Sequence, residues 1–150
     1  MVVFIVGASN AFGTILAAAN IPKTIANALL PYLSNKVIYL LLLVVLLLLV
    51  GCVMETVSSI VILAPILIPI GIELGLDGMH LGILFSVTLI VGFITPPFGL
   101  NLFTSAATSE VSFAEVVKGV APYLIASLIF VLMIAFIPQI SLTLPALLGM

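Results

Sequence analysis

Two adjacent prolines interrupt the longest uncharged stretch of this 150-residue chain. Pro96 and Pro97 lie within residues 81–109, which contain no charged side chain. A run of that length is long enough to cross a bilayer as a helix, but proline lacks the N–H group that a helix needs. The residue before a proline is also displaced from the helical region. The sequence therefore predicts a helix that breaks within the apolar run and leaves carbonyls near Thr95 without helical partners.

Such a break points to a binding site. Unpaired backbone groups persist at membrane depth only where they are buried in protein or line a polar cavity. Broken helices near the bilayer midplane are typical of ion and substrate sites in secondary transporters. The carbonyls before Pro96 could hold a cation, and the N–H groups after Pro97 could hold a carboxylate, with Thr95 and Asn101 beside them. The alternative is a proline kink filled by packing and a water molecule.

The composition restricts the class of protein. The chain is 65% hydrophobic and 5% charged, whereas soluble domains are about a quarter charged. This indicates an integral membrane protein that is surrounded by lipid. The net charge of −2 and the three lysines argue against nucleic-acid binding. Cys52 is the single cysteine and is expected to serve packing. No pairing of a nucleophile with a base stands out, so we do not expect an enzyme.

The apolar runs predict a series of helical segments. In chain order these are a transmembrane helix over residues 1–21, an interfacial helix over 22–35, a hairpin over 36–73, a broken transmembrane helix over 79–105, and an arm with the last transmembrane helix over 112–138. Asp77 is expected to cap the broken helix, and Ser112 with Glu115 forms a predicted capping box. Gly119 and Pro122 predict a bend, and the tail beyond Pro138 is expected to be interfacial. The apolar start of the chain suggests the C-terminal part of a longer protein.

The polar residues 55–59 separate two apolar runs and leave two topologies open. If both runs cross the bilayer, Glu55 lies at an interface and caps the next helix. If they form a re-entrant hairpin, the polar turn lies within the membrane. Pro65 and Pro69 favour the hairpin, because they suit a half-helix packed against protein. An ionisable group within the membrane indicates function, and carboxylate and hydroxyl oxygens suit hard cations.

Residues 92–103, with the sequence GFITPPFGLNLF, also carry a resemblance to a known family. Residues 8–13, residues 64–69 and the ending over residues 136–145 support it. Together, in this order and spacing, they resemble the C-terminal portion of the large membrane (permease) subunit of tripartite ATP-independent periplasmic (TRAP) transporters. The resemblance covers nearly the whole chain.

The resemblance implies an all-α integral membrane fold. It has a re-entrant helical hairpin and a broken transmembrane helix, which together form one of two inverted repeats. It also implies sodium-coupled secondary transport of small organic acids, such as C4-dicarboxylates or sialic acid, across the bacterial inner membrane by elevator-type alternating access. The expected partners are a small membrane subunit and a periplasmic substrate-binding protein. Alternatives are an ion-coupled carboxylate transporter without a binding protein and a structural membrane subunit that transports nothing.

The resemblance also implies where ligands bind. Sodium, the coupling ion, is expected at Glu55, Thr56, Gly92, Thr95 and Pro96. The organic acid is expected at Ser58, Thr95, Pro97, Gly99 and Asn101. Glu55 departs from the family pattern, in which we expect Asp to be commoner.

Overall fold

The fold is helical throughout the part of the chain that the structure describes. In a computed structural model, these residues are 35–147 and a few isolated earlier positions, namely 15, 18–20 and 24. The helices are α1 (Lys36–Val53), α2 (Thr56–Glu73), α3 (Gly78–Gly92), α4 (Leu100–Ser109), α5 (Phe113–Phe136) and α6 (Pro138–Leu147). The all-α prediction is confirmed for this part. The segments predicted over residues 1–21 and 22–35 lie almost wholly outside the described residues.

Three of the helices are long and apolar enough to cross a membrane. They are α1, α2 and α5, with 18, 18 and 24 residues. Eighteen helical residues extend about 27 Å, close to the thickness of the hydrocarbon core. Many large apolar side chains on these helices are exposed, among them Leu49, Val61 and Ile125. An apolar exterior of this kind agrees with the membrane protein that the composition indicates.

The first two helices form an antiparallel hairpin, joined at the open end by two side chains of α1. Buried Tyr39 donates its hydroxyl to the Leu67 carbonyl at 2.7 Å. The Lys36 ammonium donates to the Gly75 carbonyl, just beyond α2, at 3.1 Å. Since the start of α1 lies beside the end of α2, residues 54 and 55 form the tip of the hairpin.

The end of α1 meets the end of α3 through a close backbone contact between two glycines. A Cβ atom added at Gly92 would lie 2.7 Å from the backbone of Gly51. A Cβ atom added at Gly51 would lie 2.5 Å from the Leu89 carbonyl oxygen. Helices approach this closely only where small residues line the contact. Buried leucines, including Leu47 and Leu84, fill the rest of the core between the helices.

The predicted helix caps are confirmed. The Asp77 carboxylate accepts from the backbone N–H groups of Met79, at 2.8 Å, and His80, at 3.1 Å. Ser112 and Glu115 form the reciprocal capping box at the start of α5. These local signals therefore set where α3 and α5 begin.

Pro65, Pro69 and Pro122 lie within uninterrupted helices. Helix α2 continues through Pro65 and Pro69, and α5 continues through Pro122. Each proline removes only one hydrogen bond from its helix. Pro65 and Pro69 are four residues apart and both exposed, so their missing bonds fall on one outward face of α2. The bend predicted at Gly119 and Pro122 therefore does not interrupt α5.

The end of the chain packs back on the start of α3. Helix α6, in the tail that we expected to be interfacial, brings the Ser141 hydroxyl within 3.2 Å of His80 Nδ1. Both side chains are buried, and His80 is only 1% exposed. His80 Nε2 has no hydrogen-bond partner among the described residues.

The glycine contact leads to a prediction about stability. We expect Gly92→Ala to lower the free energy of unfolding of the full-length protein by about 1–3 kcal/mol, because its Cβ would overlap the Gly51 backbone. Gly82→Ala in the same helix is the control, since a Cβ there meets nothing within 4 Å. The apparent unfolding midpoint of the purified protein in detergent measures both. Equal midpoints for the two variants would contradict the contact.

Candidate functional site at the helix break

The break between α3 and α4 has a defined backbone path. Helix α3 ends at Gly92, and α4 begins at Leu100. The N–H groups of Phe93, Ile94 and Thr95 each donate to a carbonyl three residues earlier, at 3.0–3.2 Å. This is the tighter 3₁₀ pattern, common at helix ends. The chain then passes through the two prolines, which are joined by a cis peptide bond.

The carbonyls that lose helical partners find others across the break. The Phe93 carbonyl accepts from the Asn101 N–H at 3.2 Å. The Thr95 carbonyl accepts from the Gly99 N–H at 3.0 Å and from the Cys52 thiol at 3.0 Å. The sequence prediction of missing helical partners is therefore confirmed, and the replacement donors come from α4, its N-cap and α1.

Gly99 makes this closure possible. A Cβ atom at this position would lie 2.6 Å from the Phe93 carbonyl oxygen and 3.0 Å from that of Thr95. A larger residue would push both carbonyls away. Gly99, predicted to contact substrate, is itself buried and has a clear structural role in the turn.

Cys52 is the residue of this region that the sequence prediction missed. Its thiol donates to the Thr95 carbonyl and accepts from the Phe98 N–H at 3.3 Å. We expected packing alone, and the side chain is indeed 95% buried, at 5% exposure. No spacing pattern relates residue 52 to residue 95, so only the three-dimensional structure reveals the contact.

The polar side chains at the break differ in their accessibility. The Thr95 hydroxyl donates back to the Val91 carbonyl at 2.9 Å, and its residue is half-buried, like Pro96. Pro97 and Asn101 are exposed. Asn101 therefore presents its amide where a ligand could reach it, at the N-terminal end of α4.

At the hairpin tip, Glu55 caps α2. Its two carboxylate oxygens accept from the N–H groups of Val57, at 2.9 Å, and Ser58, at 3.0 Å. The Ser58 hydroxyl also donates to the carboxylate at 3.2 Å. The structure thus contains the capping role that was one of the two alternatives for Glu55. The side chains of Glu55 and Ser58 are both exposed.

Thr56 follows the tip directly, as the first residue of α2. Its hydroxyl oxygen is buried and has no hydrogen-bond partner among the described residues. A buried hydroxyl that lacks a partner costs about 1–3 kcal/mol. An atom of this kind calls for an explanation, such as a bound ion or water.

The end of α1, directly before the tip, contacts the break. Gly51 contacts Gly92, and Cys52 bonds to Thr95, immediately before the tip. Glu55 and Ser58 bond to each other and to the first turn of α2, not to the break. The structure therefore joins the hairpin to the break by backbone and thiol contacts.

Comparison with known proteins gives one matching family model. Residues 1–140 match the model described as the tripartite ATP-independent periplasmic transporter, DctM component. A C4-dicarboxylate TRAP transporter large permease protein of Pseudomonas aeruginosa is 38% identical over 150 residues, which are 100% of this chain and 35% of the relative. An isethionate TRAP transporter permease protein of Oleidesulfovibrio alaskensis is 37% identical over 95% of this chain and 22% of its own length.

A third relative carries a different substrate in its name. The sialic acid TRAP transporter large permease protein of Vibrio cholerae is 31% identical over 91% of this chain and 32% of its own length. The chain thus spans about a third of the length of most of these curated relatives.

The cap at the hairpin tip can be tested separately from any ligand. We expect Glu55→Ala to lower the free energy of unfolding in sodium-free buffer by about 1 kcal/mol, because two N–H groups of α2 lose their acceptor. Glu73→Ala, at the opposite end of α2, is the control, because a negative charge at a helix C-terminus is unfavourable. Apparent unfolding midpoints of the full-length variants measure the difference. A Glu73→Ala shift as large as that of Glu55→Ala would refute the capping role.

Proposed function

The chain belongs to the DctM component family of tripartite ATP-independent periplasmic transporters, and on this basis we propose that it forms the sodium and substrate sites of a permease for small organic acids. The resemblance carried by residues 92–103 is confirmed by this membership. The relatives are transporter permeases, which agrees with our expectation that the chain is not an enzyme. Their named substrates are C4-dicarboxylates, isethionate and sialic acid. All are small organic anions, so we propose a small carboxylate or sulfonate here.

The packing of the broken helix against the hairpin supports this function best. A helix interruption places carbonyl oxygens and a helix N-terminus at one point, which allows a cation and an anion to bind near each other. The interruption between Gly92 and Leu100 lies against the end of α1, directly before the polar tip. Protein packing of this kind is what makes an irregular backbone tolerable at membrane depth.

We assign the sodium ion to oxygen atoms on both sides of this contact. Sodium is a hard cation and prefers carbonyl, hydroxyl and carboxylate oxygens. The Thr56 hydroxyl, which has no partner in the described part of the chain, is the strongest side-chain candidate, because bound sodium would offset the cost of burying it. The Thr95 hydroxyl, the Gly92 and Pro96 carbonyls and the Glu55 carboxylate complete the proposed set, because the Thr95 carbonyl already accepts two hydrogen bonds.

We assign the organic acid to the exposed side of the same region. Asn101 lies in the first turn of α4, where the helix dipole favours an anion. Ser58 lies in the first turn of α2 and also contributes a hydroxyl. Pro97 and Gly99 shape the backbone between the two helices. Of the two helix N-termini, that of α4 would face the anion, because the Glu55 carboxylate already accepts from the N–H groups at the start of α2.

Transport follows from linkage between the two ligands. Sodium that binds both the tip and the break holds these elements together, and a closed arrangement favours the anion beside it. Each ligand then raises the affinity for the other by the same factor. We propose that α1 and α2 form a re-entrant hairpin, which places the polar tip within the bilayer, and that this unit is one of two inverted repeats.

The whole transporter supplies the remaining parts. We propose that a periplasmic binding protein delivers the substrate and that a small membrane subunit braces the permease in the bacterial inner membrane. Movement of the hairpin and broken helix as one body against a scaffold would give elevator-type alternating access.

Thr56 provides a sharp test of the sodium site. Thr56→Val keeps the shape of the side chain and removes the unpartnered oxygen, so stability without sodium should stay equal or rise. The stabilisation by added sodium should fall, because a ligand is lost. The measurement is the unfolding midpoint of the full-length protein, titrated with sodium chloride against potassium chloride.

Thr88→Val is the matched control for this variant. Thr88 is buried in α3, and its hydroxyl donates within its own helix to the Leu84 carbonyl at 2.6 Å. This control should retain the full sodium response. A normal sodium response in Thr56→Val would exclude Thr56 as a ligand.

The break itself is tested by uptake. In the full-length transporter, Thr95→Val and Asn101→Ala should weaken sodium-dependent uptake more than they lower the folded yield. Thr104→Val is the control for Thr95, because its hydroxyl makes the same bond to a carbonyl four residues earlier. Ser105→Ala is the control for Asn101, because Ser105 is exposed one turn later in α4. Unchanged sodium dependence in both test variants would contradict the assignment of Thr95 and Asn101 to the site.

A further inference from the structure

Cys52 contacts the backbone on both sides of the two prolines. Its thiol donates to the Thr95 carbonyl at 3.0 Å and accepts from the Phe98 N–H at 3.3 Å. Pro96 and Pro97 lie between these two partners and have no N–H groups of their own. The thiol therefore makes one hydrogen bond on each side of the two prolines, which cannot donate backbone hydrogen bonds themselves.

We propose that Cys52 is a positioning residue, which holds the peptide between Thr95 and Pro96 in place and so orients the neighbouring Thr95 hydroxyl and Pro96 carbonyl for sodium. A carbonyl oxygen has two lone pairs. At Thr95 the Gly99 N–H and the thiol use both lone pairs, so the peptide plane cannot turn freely, and its oxygen positions the ligands beside it instead of binding sodium itself. Like the sodium site of the proposed function on which it depends, this role concerns the geometry of oxygen atoms at the break.

Two other features support this role for the end of α1. The contact between Gly51 and Gly92 holds the thiol beside the break, because both backbones are already at their closest approach. The Thr56 hydroxyl, four residues beyond Cys52, is buried without a partner among the described residues. The end of α1 thus contacts the break and is followed, four residues after Cys52, by a buried hydroxyl that has no partner among the described residues.

Substitutions at Cys52 distinguish a role in hydrogen bonding from a role in packing alone. Cys52→Ser keeps a donor and an acceptor, whereas Cys52→Val keeps the bulk and removes both. If hydrogen bonding matters, the serine variant should behave like the natural protein and the valine variant should not. If only packing matters, the order should reverse. Cys52→Ala removes both properties and should be defective in either case.

The first experiment measures sodium by thermal shift in the full-length protein. The midpoint is titrated with sodium chloride at constant total salt with potassium chloride. We expect Cys52→Val to raise the half-saturating sodium concentration about threefold, the effect of losing a weak hydrogen bond, and Cys52→Ser to stay within about twofold of the natural protein. Val44→Ala is the control, because Val44 is equally buried in α1 at 5% exposure.

The outcomes separate this inference from the function on which it depends. A natural protein without any sodium shift would overturn both. A normal sodium shift that stays unchanged in Cys52→Val would overturn only the role of Cys52. A Val44→Ala variant with the same threefold change would show that α1 acts through general stability, and would also overturn that role.

A second experiment needs no variant and so does not depend on how substitutions fold. N-ethylmaleimide reacts with Cys52 only when the thiol leaves the break, and mass spectrometry of the peptide that contains Cys52 measures the rate. We expect sodium chloride to slow this labelling about threefold relative to potassium chloride, because sodium favours the closed break. Equal rates in the two salts would overturn the proposed role.

Discussion

The backbone contact between Gly51 and Gly92 is the interaction on which the candidate site depends. It brings the end of one hairpin arm against the end of α3, at a distance that no side chain would allow. Because of this approach, the thiol of the next residue, Cys52, reaches a carbonyl that lies beyond the end of α3. The site therefore depends on the absence of side chains at these two glycines. A single methyl group at either one would push α1 and α3 apart.

The chemistry of the break is largely that of the backbone. In a regular helix each carbonyl accepts an N–H group four residues later in its own segment. Here the Phe93 carbonyl accepts from Asn101, eight residues later, and the Thr95 carbonyl accepts from the Cys52 thiol as well as from the Gly99 N–H. A site made of backbone oxygens needs few charged side chains, so the proposed ion site is compatible with so apolar a chain.

Local sequence signals predicted much of this structure. The caps at Asp77 and Ser112 and the interruption at Pro96 follow from rules that act over a few residues, and the structure contains all three. Pro65 lies inside an uninterrupted helix, because a surrounding helix tolerates the loss of one bond. The partners of Cys52 could not be predicted, since they depend on distances between helices that no local pattern encodes.

The two bonds at the open end of the hairpin have a mechanical consequence. Tyr39 and Lys36 tie the base of one arm to the end of the other, while the contact at the tip side rests on van der Waals packing and a thiol, which is a weak hydrogen-bonding group. Residues 54 and 55 connect the arms covalently at the tip, so the hairpin is closed at both ends. A tilt of this closed hairpin about its base would displace the tip most, where the ion and the anion are proposed to bind.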